Sequence, residues 1–103
     1  FGGEESRGVM RDWTRSGLSG VYAADEFEVD LEAALVRVAL PIRAVRMAHD
    51  WLAPESSLRA LLAKMPEARA RIAVLDVAAP HVRADHYAWM KHPAATVDAL
   101  LAD

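Results

Sequence analysis

The chain has 103 residues, a formal charge of −3, 53% hydrophobic and 26% charged residues, and no cysteine. That length makes one domain or part of one, and the acidic balance argues against a nucleic-acid binder, which needs a basic footprint to displace counterions. The lack of cysteine removes a disulfide framework, a thiolate metal site and a cysteine nucleophile.

No apolar run approaches the ~20 residues of a membrane-spanning helix; the longest, residues 33–40, is broken by Arg37. The start, Phe1-Gly2-Gly3-Glu4-Glu5, has neither the basic residues nor the apolar core of a secretory signal. It also lacks methionine, and the expectation is a segment drawn from within a longer protein.

Residues 4–17 read as a helix, with Val9, Met10 and Trp13 on one side and Gly17 placed as its stop. Residues 18–29 show no period and read as loop, and the acids Asp25, Glu26, Glu28 and Asp30 make an exposed face there. Asp30 suits an N-cap for a short helix striped by Leu31, Ala34, Leu35 and Val38, which Pro41 ends. Residues 42–48 read as a strand, with Arg43 and Arg46 as solvated edges or ion-pair partners of Glu32 or Asp76. From Pro54 the period changes: Leu58, Leu61, Leu62 and Met65 fall at helical spacing, Pro54 suits the first turn and Pro66 lies past the last. Residues 71–77 are rich in β-branched side chains and read as a second strand, punctuated by Ala78-Ala79-Pro80. A short helix over residues 86–91 and a last one from Pro93, with Val97, Leu100 and Leu101 facing inward, complete the chain.

The pattern is α/β. Strand, helix and strand over residues 42–77 imply two parallel strands with flanking helices. Loops after parallel strands leave the same edge of the sheet, where such folds place their working residues. Asp50 follows the first strand in His49-Asp50-Trp51-Leu52-Ala53-Pro54, and His86 follows the second in Ala84-Asp85-His86-Tyr87. An acid followed by a histidine, each after such a strand, matches the second half of a catalytic triad: the carboxylate fixes the imidazole, and the imidazole moves the nucleophile's proton.

Three segments, Pro41-Ile42-Arg43-Ala44-Val45, Asp50-Trp51-Leu52-Ala53-Pro54 and Asp85-His86-Tyr87-Ala88-Trp89, resemble the C-terminal portion of α/β-hydrolases. Arg11-Asp12-Trp13 and Gly20-Val21-Tyr22 are similar to the end of a helical lid in bacterial members. The resemblance implies a lid end and connecting helix over residues 1–40 and the last βαβα of the core over 41–103. It implies Asp50 as triad acid and His86 as base in a cytoplasmic serine hydrolase of esterase or acyl-hydrolase type, acting on a small-molecule ester without a cofactor.

Two departures stand out. Many members have glycine before the histidine where this chain has Asp85, which leaves His81 as an alternative base. No Gly-x-Ser-x-Gly elbow exists in the 103 residues; Ser16-Gly17-Leu18-Ser19-Gly20 has the wrong spacing. The chain is therefore expected to be inactive alone, its nucleophile lying upstream. A two-stranded sheet cannot cover Val45, Ile72 and Val74 by itself. The expected partners are the missing N-terminal part or a second copy, with neither nucleic acid nor membrane.

Other readings use the same residues. Asp50 could serve only as a helix cap. His49 with Asp50, completed by Asp85, His86, His81 or His92, could hold zinc, manganese or iron. Trp51 and Trp89 could line a substrate pocket beside the pair or simply pack, with Trp13 in the lid or an interface. A non-enzymatic module binding helices through its leucine stripes is the alternative to an enzyme.

Overall fold

A computed structural model describes residues 6–103, so Glu4 and Glu5 of the first expected helix lie outside the described residues. The chain divides into two compact units, Phe1–Arg37 and Val38–Asp103.

In the first unit, α1 runs Arg7–Ser19. It passes through Gly17 and ends at Gly20, whose φ of 70° is the left-handed conformation that glycine adopts at little cost. The Gly20 N–H donates to Ser16 O at 2.9 Å, closing the helix three residues beyond the expected stop. Asp30 caps α2 (Leu31–Val36) by accepting from the Ala33 N–H at 3.0 Å. This helix ends well before Pro41, which instead opens a strand, a position where its missing N–H costs nothing. Within the acidic loop, Asp25 meets Arg15 at 2.7 Å and Arg11 at 3.0 Å. The Arg15 hydrogen bond and charge, aided by Arg11, hold that carboxyl below its usual range.

The second unit is built on β1 (Pro41–Met47) and β2 (Arg69–Leu75), joined by α3 (Glu55–Ala63). The strands are parallel and in register from Pro41↔Arg69 to Met47↔Leu75 without a shift. Pro54 stands at the N-cap of α3, just outside the first turn, while Leu58, Leu61 and Leu62 are half-buried and Met65 is buried. The second strand starts two residues earlier than expected and stops at Leu75. Beyond it lies a hairpin that the sequence reading missed: β3 (Val77–Ala79) pairs antiparallel with β4 (Val82–Arg83). Pro80 and His81 turn it, His81 at a φ of 63°.

The buried cluster is Met47, Ala78 and Ala84, with Val45, Leu75, Val82 and Ala88 packed on it. Ala84 is fully enclosed, at 0% exposure. Interiors this tight resist added methylenes, so Ala84→Leu should cost about 1–3 kcal/mol in a denaturant melt.

The chain ends in α4 (Ala88–Lys91) and α5 (Ala94–Leu101). The expected inward face of α5 is corrected: Val97, Leu100 and Leu101 are exposed, and Thr96 is the buried residue, flanked by half-buried Ala95 and Ala99. Small side chains let α5 lie close to β1, β2 and β3. Its carbonyl end is held by strand arginines, Arg43 donating to Leu100 O (3.0 Å) and Ala102 O (2.8 Å) and Arg71 donating to Asp103 O. Cations suit that negative helix end. Arg46 reaches Glu55 at 3.6 Å. The expected partners Glu32 and Asp76 are engaged elsewhere, by the Tyr22 N–H and by His49.

Candidate active site

The level ends of β1 and β2 decide where their loops emerge. Beyond the ladder, Ala48 N–H donates to Leu75 O at 2.9 Å, and Asp50 N–H turns back to Met47 O at 3.3 Å. Asp50 then folds its carboxylate over the loop. Oδ1 accepts from the Leu52 N–H at 3.0 Å and the Ala53 N–H at 2.9 Å, while Oδ2 lies 2.9 Å from His86 Nδ1. Only 7% of the Asp50 side chain is exposed, against 36% for His86. The helix-cap reading of Asp50 is corrected: α3 has Pro54 at its N-cap and no side-chain cap, and the carboxylate instead holds the loop before the helix with one oxygen and contacts His86 with the other.

Contrary to expectation, His86 does not leave the second parallel strand directly but follows β4, the second strand of the antiparallel hairpin beyond it. Ala84 anchors the segment by donating to Asp76 O at 2.9 Å. Asp85, standing where the resemblance would have glycine, accepts from the Tyr87 N–H at 2.9 Å and the Ala88 N–H at 2.8 Å and so bends the chain into α4. The Tyr87 ring meets the imidazole edge to face, centroids 5.1 Å apart at 81°. An ionised carboxylate only accepts, so in this contact a neutral imidazole carries its hydrogen on Nδ1 and leaves the Nε2 lone pair open. Among the described residues no hydrogen bond occupies Nε2. A base fixed on one nitrogen and open on the other is equipped to take a proton.

The Ala88 and Tyr87 N–H groups, in that order, hold the Asp85 carboxyl below its ordinary value against desolvation, and the Lys91 charge adds to the effect. A depressed folded-state pKa contributes stability that is complete above the unfolded value of about 3.9 and is lost as pH falls through the lower folded value. Thermal melts taken downward from about pH 5 should therefore show an acid-limb loss that Asp85→Ala reduces.

The other candidates are placed differently. His81 is exposed in the hairpin turn, and His92 is the exposed C-cap of α4. His49 Nε2 lies 2.9 Å from Asp76 Oδ1, so His49 and Asp50 serve different partners. Among the described residues no group of three histidine or carboxylate side chains is arranged to hold a metal. Trp51 is 81% exposed beside Asp50 and Trp89 is 37% exposed. The aromatic ring against the imidazole is Tyr87, to which the sequence reading gave no role although it adjoins His86. The His49–Asp76 pair was also missed, because its members lie 27 residues apart.

The fold is mixed α/β, a two-stranded parallel sheet with flanking helices and a small hairpin. No family model, curated protein or solved structure matches this chain. No helix among the described residues is long and apolar enough to cross a membrane.

Proposed function

We propose that this chain supplies the acid and the base of a serine hydrolase of the α/β-hydrolase type, Asp50 orienting His86. The observation that carries the reading is the division of labour on Asp50: two backbone N–H groups fix one oxygen, and the other holds His86 Nδ1 at 2.9 Å. The same arrangement orients the histidine of Ser-His-Asp enzymes.

In this reading a serine outside the described residues places its hydroxyl on His86 Nε2. The proton passes to Nε2 as the serine oxygen bonds to the carbonyl carbon of an ester. Asp50 stabilises the resulting imidazolium without itself becoming protonated. The tetrahedral intermediate collapses, the bond to the alcohol oxygen breaks, and His86 returns the proton to that oxygen. Water repeats the cycle on the acyl-serine. No cofactor is needed. The serine belongs to the rest of a longer polypeptide, which would also cover apolar groups such as Leu40 and Val74 that are exposed here. Trp51 and Trp89 would border the acyl or alcohol group.

The extended conformation of β1 and β2 favours this reading over a purely helical module, and the engagement of His49 by Asp76 weighs against a metal centre on His49 and Asp50. The test is a full polypeptide assayed on a short acyl ester and treated with a serine-directed fluorophosphonate. One serine should be labelled, and His86→Ala should suppress both labelling and turnover. Unchanged labelling and turnover would overturn the reading.

A further inference from the structure

Outside the Asp50–His86 pair, a second histidine–carboxylate contact closes a hydrogen-bonded circuit through both strand-end loops. The His49 N–H donates to Ala84 O at 3.1 Å, and the Ala84 N–H donates to Asp76 O at 2.9 Å. The Asp76 carboxylate returns to His49, Oδ1 to Nε2, at 2.9 Å. Each of the three residues therefore holds both others. His49 immediately precedes Asp50, and Ala84 stands two residues before His86.

The circuit spans all three segments that set the geometry: the end of β1, the end of β2 and the segment leaving β4. Ala84 is enclosed, and its two backbone bonds tie the end of β1 to the residue after β2. The Ala48 N–H to Leu75 O bond ties the first loop to the end of β2 once more. The side-chain link from His49 to Asp76 is the one contact of the circuit that side-chain substitution can remove.

We infer that His49 and Asp76 are positioning residues for the reaction, bracing the two loops so that Asp50 Oδ2 and His86 Nδ1 stay in register. The inference deepens the proposed function and rests on it. The brace does not depend on the charge of His49, because a neutral imidazole with its hydrogen on Nε2 donates to Asp76 as a protonated one does. The pair is partly open to water, with 31% of the His49 side chain and 76% of the Asp76 side chain exposed. Exposed pairs contribute little to global stability, so the effect belongs to the local geometry, to which proton transfer is sensitive.

The test uses the full polypeptide with His49→Ala, Asp76→Ala and Asp76→Asn, and with Arg46→Ala as a control that removes a different ion pair in the same unit. Three quantities are measured: kcat, KM, and the nitrogen chemical shifts of His86, which report which ring nitrogen carries the hydrogen. The two alanine variants should lower kcat about tenfold with KM little changed, and should mix the His86 tautomers. Asp76→Asn keeps the accepting oxygen and should restore both. Should His49→Ala fail to fold, Asp76→Ala carries the same reading, since its side chain packs little. Wild-type kcat and an unchanged His86 tautomer in Asp76→Ala would overturn the inference. So would an equal kcat loss in Arg46→Ala at matched stability, which would make the effect merely structural. Active His86→Ala together with tautomer mixing in Asp76→Ala would refute the proposed hydrolase and leave the brace standing.

Discussion

Replacing His86 by alanine in the full polypeptide should lower ester turnover by about 10⁴-fold or more, the scale on which hydrolases of this constellation depend on their histidine. No other histidine can substitute from where it stands: His81 occupies a hairpin turn, His92 the end of a short helix, and His49 is bonded to Asp76. The fold should survive, because His86 is partly exposed and its removal opens no enclosed cavity. Asp50 Oδ2 then loses its partner while the side chain is nearly buried, and that costs about 1–3 kcal/mol. Chemical denaturation run beside the assay separates this loss from the catalytic one. His81→Ala is the matched control and should retain turnover; a reversal of the two results would move the base to His81.

Asp50→Asn should be nearly as damaging to turnover for a different reason. Asparagine can keep one oxygen under the Leu52 and Ala53 N–H groups, so the loop should hold its shape. Its amide nitrogen would then face His86 Nδ1, where the carboxylate oxygen stood. Two donors cannot share that contact, so Nδ1 must become the acceptor and the hydrogen must move to Nε2. On the proposed mechanism, the nitrogen that receives the serine proton is then already occupied. A kcat lower by about 10⁴-fold with KM little changed is expected. Asp50→Ala should lose turnover similarly and in addition destabilise the chain by about 1–3 kcal/mol, because the Leu52 and Ala53 N–H groups lose their acceptor. The difference in stability between the two variants measures the loop-organising role, and their shared loss of turnover measures the orienting role. Near-normal turnover in Asp50→Asn would refute that orienting role.

The parts of this architecture legible from the residues are those in which a local pattern and the packing agree. Leu58, Leu61 and Leu62 state a helix and occupy its covered side, and Met65 is buried just past its end. The stretch from Ile42 to Met47, bounded by a proline and a turn, states a strand. Those two, with the second strand expected over residues 71–77, gave the expectation that Asp50 and His86 leave the same edge. The β3–β4 hairpin was hidden because its strands are too short for a period to register, and because its turn places His81 in a conformation that sequence readers assign to glycine or asparagine. At α1 a glycine inside the helix drew the stop forward, whereas the terminating bond belongs to Gly20. At α5 hydrophobicity pointed to Val97, Leu100 and Leu101, but the close approach to the sheet favours Ala95, Thr96 and Ala99. Both misreadings on α1 and α5 treat residue type as position, when space and backbone geometry decided. The His49–Asp76 contact carries no signal in one sequence, since it depends on where two distant turns end.

The unshifted pairing of β1 with β2 sets how this chain can change length. One residue added between Val45 and Asp50 would advance the carboxylate by about 3.3 Å and reverse the side from which it projects, more than a bond of 2.9 Å can absorb. The stretch from Ile72 to Leu75 within β2 is bound by the same rule. At the opposite end of the sheet, the turn over residues 64–68 touches neither partner of the pair. Insertions and deletions should accumulate there and be purged from the two register-bound stretches.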